Sequence, residues 1–141
     1  MNRIVRDDGF HPDDLEHGEF LTLERLEAGV EAPVLLQLEP DADPSDLPRH
    51  FAWISGIRIH FPNFTDGRGF SLAARLRQLG YGGRLGAFGH LIADQYSQAR
   101  RSGFDEVVIN ELMAARQPES QWLAKSGWRQ RSYQAHILRS A

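Results

Sequence analysis

Apolar positions fall into short strand-like runs and longer helical stripes that take turns along this chain. Val34, Leu35, Leu36 and Leu38 form a run ended by Glu39-Pro40-Asp41, which predicts a buried strand. Asp43-Pro44-Ser45-Asp46 predicts the start of a helix through His50 and Phe51, with Pro44 tolerated in its first turn. Residues 54–61 read as the next strand. Ile57, Ile59 and Phe61 point one way and Arg58 and His60 the other, a polar face that suits a sheet edge, a subunit contact or a wet pocket. Leu72, Leu76 and Leu79 then share one helical stripe, stopped by Gly80.

The alternation continues. Residues 85–88 predict a third strand, and residues 91–101 a helix that buries Leu91, Ile92, Gln95 or Tyr96, and Ala99 before stopping at Gly103. Val107-Val108-Ile109 is a fourth strand. Residues 112–125 hold helix, divided near Pro118, with Trp122 and Leu123 turned inward. Before this region, residues 1–32 read as an N-terminal elaboration with a short hairpin around Ile4, Val5 and Phe10, and a short helix or turn carrying Leu21, Leu23 and Leu26. After it, residues 128–141 add a last strand or tail. The expected architecture is one α/β domain of repeated β-α units over residues 33–127, with a mainly parallel sheet flanked by helices.

Composition narrows the function classes. The 141 residues allow one domain with a real core, and the net charge of −3 provides no general basic field for nucleic acid. The basic pairs at Arg75/Arg77 and Arg100/Arg101 read as solvated helix faces. With no Cys, the chain has no disulfide, thiolate nucleophile or Cys-held metal cluster of its own. The first eight residues lack the apolar core of a signal peptide, and no run is long enough to span a bilayer, so a cytoplasmic location with no membrane contact is expected.

The chemistry gathers where the second predicted strand hands over to its helix. Thr65 and Asp66 can cap that helix, Gly67 can take a tight turn, and Arg68 brings a fixed charge beside backbone N–H groups. Other residues expected at the carboxyl ends of strands are Asp41, Gly89, His90, Asn110 and Glu111. Two readings stand side by side. In one, Thr65, Asp66, Gly67 and Arg68 hold a small oxyanion such as sulfite, sulfate or phosphate, with His90 and Asp66 as the weak candidates for a catalytic proton carrier. In the other, Asp66 caps the helix and pairs with Arg68. A metal site from His90, Asp66 and Glu111 lacks ligand spacing, and Asp94 and Gln95 read as loop-bonding groups. Phe61, Phe64, Phe70 and Phe88 read as core aromatics. The glycines form neither a dinucleotide fingerprint nor a P-loop, so no bound cofactor is expected.

The string Phe61-Pro62-Asn63-Phe64-Thr65-Asp66-Gly67-Arg68 resembles a bacterial family numbered 934 among domains of unknown function. The resemblance extends through residues 83–95 and 100–105, and more weakly over residues 35–51. It departs from the family at Gly86, where Arg is usual, and at His90, where Asp is usual. Members of that family are described as candidate oxidoreductases or accessory proteins of sulfite reduction, encoded near sulfite reductase. What the resemblance implies is a role in assimilatory sulfur metabolism through a sulfite reductase or another redox protein as partner. A homo-oligomeric module meeting its copy through the Arg58/His60 face is the remaining alternative.

Overall fold

A computed structural model describes residues 1–29 and 33–129. Seven strands form one sheet: β1 (Arg3–Arg6), β2 (Gly9–Pro12), β3 (Phe20–Leu21), β4 (Val34–Leu38), β5 (Ile54–Phe61), β6 (Arg84–Gly89) and β7 (Glu106–Ile109). Their spatial order is β2-β1-β7-β6-β5-β4-β3. The five strands from β3 to β7 are parallel and lie in chain order, while β1 joins β7 antiparallel and carries β2 as a hairpin. The protein is therefore α/β with a mixed, mostly parallel sheet. The predicted last strand or tail falls mainly at residues 130–141, outside the described residues.

Strict chain order has a geometric consequence. A right-handed crossover between adjacent parallel strands always leaves the sheet on the same side, so the connections stack on one face. Helix α1 (Leu23–Glu27) leads to β4, α2 (Arg68–Gln78) joins β5 to β6, and α3 (Tyr96–Ser102) joins β6 to β7. Two short helices, α4 (Glu111–Arg116) and α5 (Glu119–Leu123), follow β7. Leu72 and Leu76 of α2 and Ala99 of α3 share one core with Leu36, Leu38, Ile57, Ile59, Leu85, Ala87 and Val107. Phe61 sits in its middle, with ring centres 5.0 Å from Phe70 and 5.9 Å from Phe104.

Several local expectations are corrected. The segment after β4 is a 3-10 helix over Leu47–Trp53, with Pro48 in its first turn; Asp43 instead closes a turn by accepting from the Ser45 N–H and hydroxyl. Helix α2 begins at Arg68, three residues earlier than the apolar stripe suggests. Ile92 is extended rather than helical, and a single 3-10 turn, Ala93–Gln95, precedes α3. Pro118 does start the second terminal helix, but only Trp122 turns inward; Leu123 is 38% exposed. Nor are all four phenylalanines core. Phe64 is 56% exposed, and Phe88 is half-buried on the face away from the helices.

The polar face of β5 is not at a sheet edge, because β5 is an interior strand between β4 and β6. Residues 13–18 fold across that face and close it. The N-terminal segment thus supplies strands at both ends of the sheet and the cover over its second face.

Candidate functional site

The loop between β5 and α2 is built by local hydrogen bonds. Asn63 Oδ1 accepts from the Thr65 N–H at 3.0 Å and the Thr65 hydroxyl, so Thr65 turns back on its own loop rather than capping α2. Gly67 occupies the cap position with no side chain to offer. Asp66 takes over: Oδ1 accepts from the Arg68 N–H at 3.2 Å and from Arg68 Nε at 3.0 Å, and Oδ2 from Nη2 at 2.7 Å. The Arg68 side chain is 61% exposed and its charge is matched by Asp66 in two-pronged geometry. Arg68 and its N–H hold the Asp66 carboxyl below the usual range, and Asp66, with a smaller contribution from Asp41, raises Arg68. The cation expected to receive an oxyanion is facing two carboxylates.

A second loop anchors the first. Gln95 Nε2 donates to the Phe64 carbonyl at 2.7 Å, and its Oε1 accepts from the Ile92 N–H. The His90 N–H donates to the Phe61 carbonyl at 2.9 Å. That close approach requires Gly89, whose φ is +113° and whose added Cβ would lie 2.5 Å from the Phe61 oxygen. His90 itself is exposed beside a cleft of about 180 Å³ lined by Asn2, Phe88, Val108 and Asn110. Asn110 is committed to capping α4 through the Met113 N–H. His90, Asn110 and Glu111 therefore share the carboxyl end of the sheet with the 61–68 loop. Lacking any reversal of strand order among β3–β7, that end has no crevice formed by diverging helices. Among the described residues, no group of three His, Asp or Glu side chains could hold a metal ion.

The second face of the sheet carries a charge network that sequence reasoning missed. Arg58 is only 7% exposed; its Nη2 donates to Asp13 Oδ1 at 2.6 Å and its Nη1 to Asp13 Oδ2 at 3.2 Å. Its guanidinium also lies 5.0 Å from the centre of the Phe20 ring. Arg84 grips Asp14 with two bonds of 2.7 and 2.8 Å and Glu106 with three more of 2.9, 3.1 and 3.2 Å, and Arg6 reaches Glu106 from the other side at 3.2 Å. Gly86 lies between Arg58 and Glu106: a Cβ there would meet Glu106 Cγ at 3.5 Å and Arg58 Cγ at 3.6 Å. Three cations and three carboxylates balance. Farther along the same face, His60 Nδ1 lies 2.9 Å from Glu39 Oε2, with its ring 5.1 Å from Phe88.

Electrostatics follow this geometry. Burial pushes the Asp13 carboxyl up, but the bonds from Arg58 and the Leu15 N–H outweigh it and the net displacement is downward. Arg84 holds Asp14 at about 2. Asp7, which accepts from Tyr96, Arg100 and Trp128, is also lowered against the opposing effect of burial.

The family described as bacterial protein of unknown function (DUF934) matches residues 35–140, and the chain belongs to it. No curated protein and no solved structure matches the chain. No helix among the described residues is long and apolar enough to cross a membrane.

Proposed function

We propose that this protein is an accessory protein of assimilatory sulfite reduction that works by binding a reductase or another redox protein. The observation that supports a docking role is Phe64, a large aromatic side chain left 56% exposed on a loop fixed from three sides. Asn63 closes the turn beneath it, Asp66 and Arg68 lock the following residues, and Gln95 holds its carbonyl. An exposed aromatic held in one place loses little freedom on association, which is how interface anchors gain affinity. Leu112, 60% exposed on α4, adds a second apolar group at the same end of the sheet. The sulfur assignment comes from the family resemblance of the 61–68 string.

The test is capture of the cognate sulfite reductase by the full chain, with reductase activity measured in its presence and absence. Wild-type protein is expected to retain the reductase and change its activity, and Phe64→Asp to do neither while remaining folded. Failure of the wild type in both assays removes the proposal.

A further inference from the structure

We propose that the β3 edge of the sheet, together with the acidic groove beside it, docks an extended basic segment of a partner protein, which adds to the sheet as an eighth strand. This surface is distinct from the Phe64 loop and does not depend on the sulfur assignment.

The two edges of the sheet are treated differently. At the β2 edge, Glu119 Oε2 accepts from the outward Phe10 N–H at 2.7 Å, and α5 packs against the strand. At the other edge, among the described residues, β3 pairs only with β4, through Phe20↔Leu35 and Leu21↔Leu36. Alternation along the strand turns the N–H and C=O of one of these two residues toward β4 and those of the other outward, and among the described residues no side chain bonds the outward pair. An open edge is a template for another strand, and proteins commonly blunt such edges. Here the edge strand is only two residues long, and no further strand covers its outer side among the described residues. A cleft of about 510 Å³ runs along it, lined by Glu19, Phe20, Leu21, Thr22, Glu24 and Arg25. A groove of about 370 Å³ adjoins, with Leu23 and Leu38 in its floor and Glu24, Glu39 and Asp41 on its rim.

Charge specifies the occupant. Residues 1–46 carry 13 Asp and Glu against 3 Arg, a net of −10, whereas residues 47–141 carry 6 against 13, a net of +7; the two sum to −3 for the chain. Asp7, Asp13 and Asp14 are consumed by Arg100, Arg58 and Arg84. Glu19, Glu24 and Glu27 enter none of the ion pairs among the described residues; Glu19 precedes β3, and Glu24 and Glu27 lie on α1. A Lys- or Arg-bearing strand would gain attraction from these carboxylates and backbone bonds from whichever of Phe20 and Leu21 faces away from β4. A second copy of this chain fits poorly. Pairing β3 with its own copy would bring together two edges of the same negative sign, and β2 is closed by Glu119.

The experiment uses the full chain and labelled, amidated seven-residue peptides followed by fluorescence anisotropy. The parent peptide alternates lysine with valine; a second replaces every lysine with glutamate. Two more keep the parent charge but carry N-methyl groups on alternate backbone nitrogens, blocking one edge of the peptide or the other. Saturable binding of the parent is expected, with no binding of the glutamate peptide. One N-methylated peptide should bind at least tenfold more weakly and the other like the parent. Glu19→Lys/Glu24→Lys, checked for folding by circular dichroism, should weaken parent binding at least tenfold. The proposal is overturned if the parent does not saturate, if both N-methylated peptides match it, or if the double variant retains its affinity. It is equally overturned if sedimentation shows the wild type self-associating through this edge, with the double variant monomeric.

Discussion

Arg58 and Asp13, 45 positions apart in the chain, form a two-pronged ion pair that is almost wholly enclosed between the second face of the sheet and the segment folded across it. Removing one partner leaves the other charged and buried. Asp13→Ala is expected to cost about 3–5 kcal/mol, the usual penalty for breaking a buried pair. Asp13→Leu combined with Arg58→Met should cost less than Asp13→Ala alone, because no charge is stranded. Urea unfolding at pH 7 of the three proteins decides it; equal losses would show that the pair is not the source of the stability.

The same carboxylates set the response to acid. Asp14, drawn to about 2 by Arg84, and Asp13 and Asp7, both lowered, have folded-state values below those of the unfolded chain. Between these values the unfolded chain binds more protons, so stability rises with pH. Their contribution is complete above about pH 4, the unfolded carboxylate value, and is lost as pH falls toward 2. Melting temperature is expected to drop steeply below pH 4, and Asp14→Asn to flatten part of that drop. Parallel curves for the two proteins would contradict it.

Two glycines on β6 should behave oppositely. Gly89→Ala forces a left-handed backbone and a collision with the Phe61 carbonyl, and is expected to cost about 2 kcal/mol or more. At Gly86 the added methyl meets only ordinary contacts between Arg58 and Glu106, and Gly86→Ala should stay within about 1 kcal/mol of wild type. Thermal unfolding of both proteins provides the comparison.

Arg77 differs from its neighbour Arg75. Its guanidinium donates to the carbonyls of Gly103, Tyr81 and Gly83 at 2.8–2.9 Å and to Asp105, tying the end of α2 to the turns that lead into β6 and β7. Arg77→Ala should cost about 2–3 kcal/mol through carbonyls left without their charged donor. Arg75→Ala, on an exposed position, should stay within about 0.5 kcal/mol. Chemical denaturation separates them.

The carboxyl-end loop makes its own prediction. With both Arg68 prongs on Asp66, titration calorimetry with sulfite, sulfate and phosphate is expected to show no saturable uptake at neutral pH. Saturable binding abolished by Arg68→Ala would instead establish the oxyanion reading.

How much of this was legible depended on range. Strands β4 and β5 and the stop at Gly80 follow from periodicity and turn chemistry, which act over a few residues. Residues 13–18 look like ordinary turn chemistry because their partners, Arg58 and Arg84, lie far along the chain. Arg77 and Arg100 looked like solvated helix charges for the same reason, yet Arg77 binds carbonyls of later turns and Arg100 binds Asp7. The Asp66–Arg68 contact spans two positions and was within reach of sequence; the exposure of Phe64, set by how the loop leaves the sheet, was not. The one available clue to the buried network was Arg58 itself, a fixed charge facing outward from the middle of a long apolar strand.

The antiparallel seam between β1 and β7 bears on synthesis at the ribosome. Arg3 is matched with Ile109, so β1 has only β2 beside it until about a hundred later residues have been made. Until then the β1–β2 hairpin is an isolated ribbon, too small to persist alone in water. Among the described strands, the earliest made is thus brought back onto the latest.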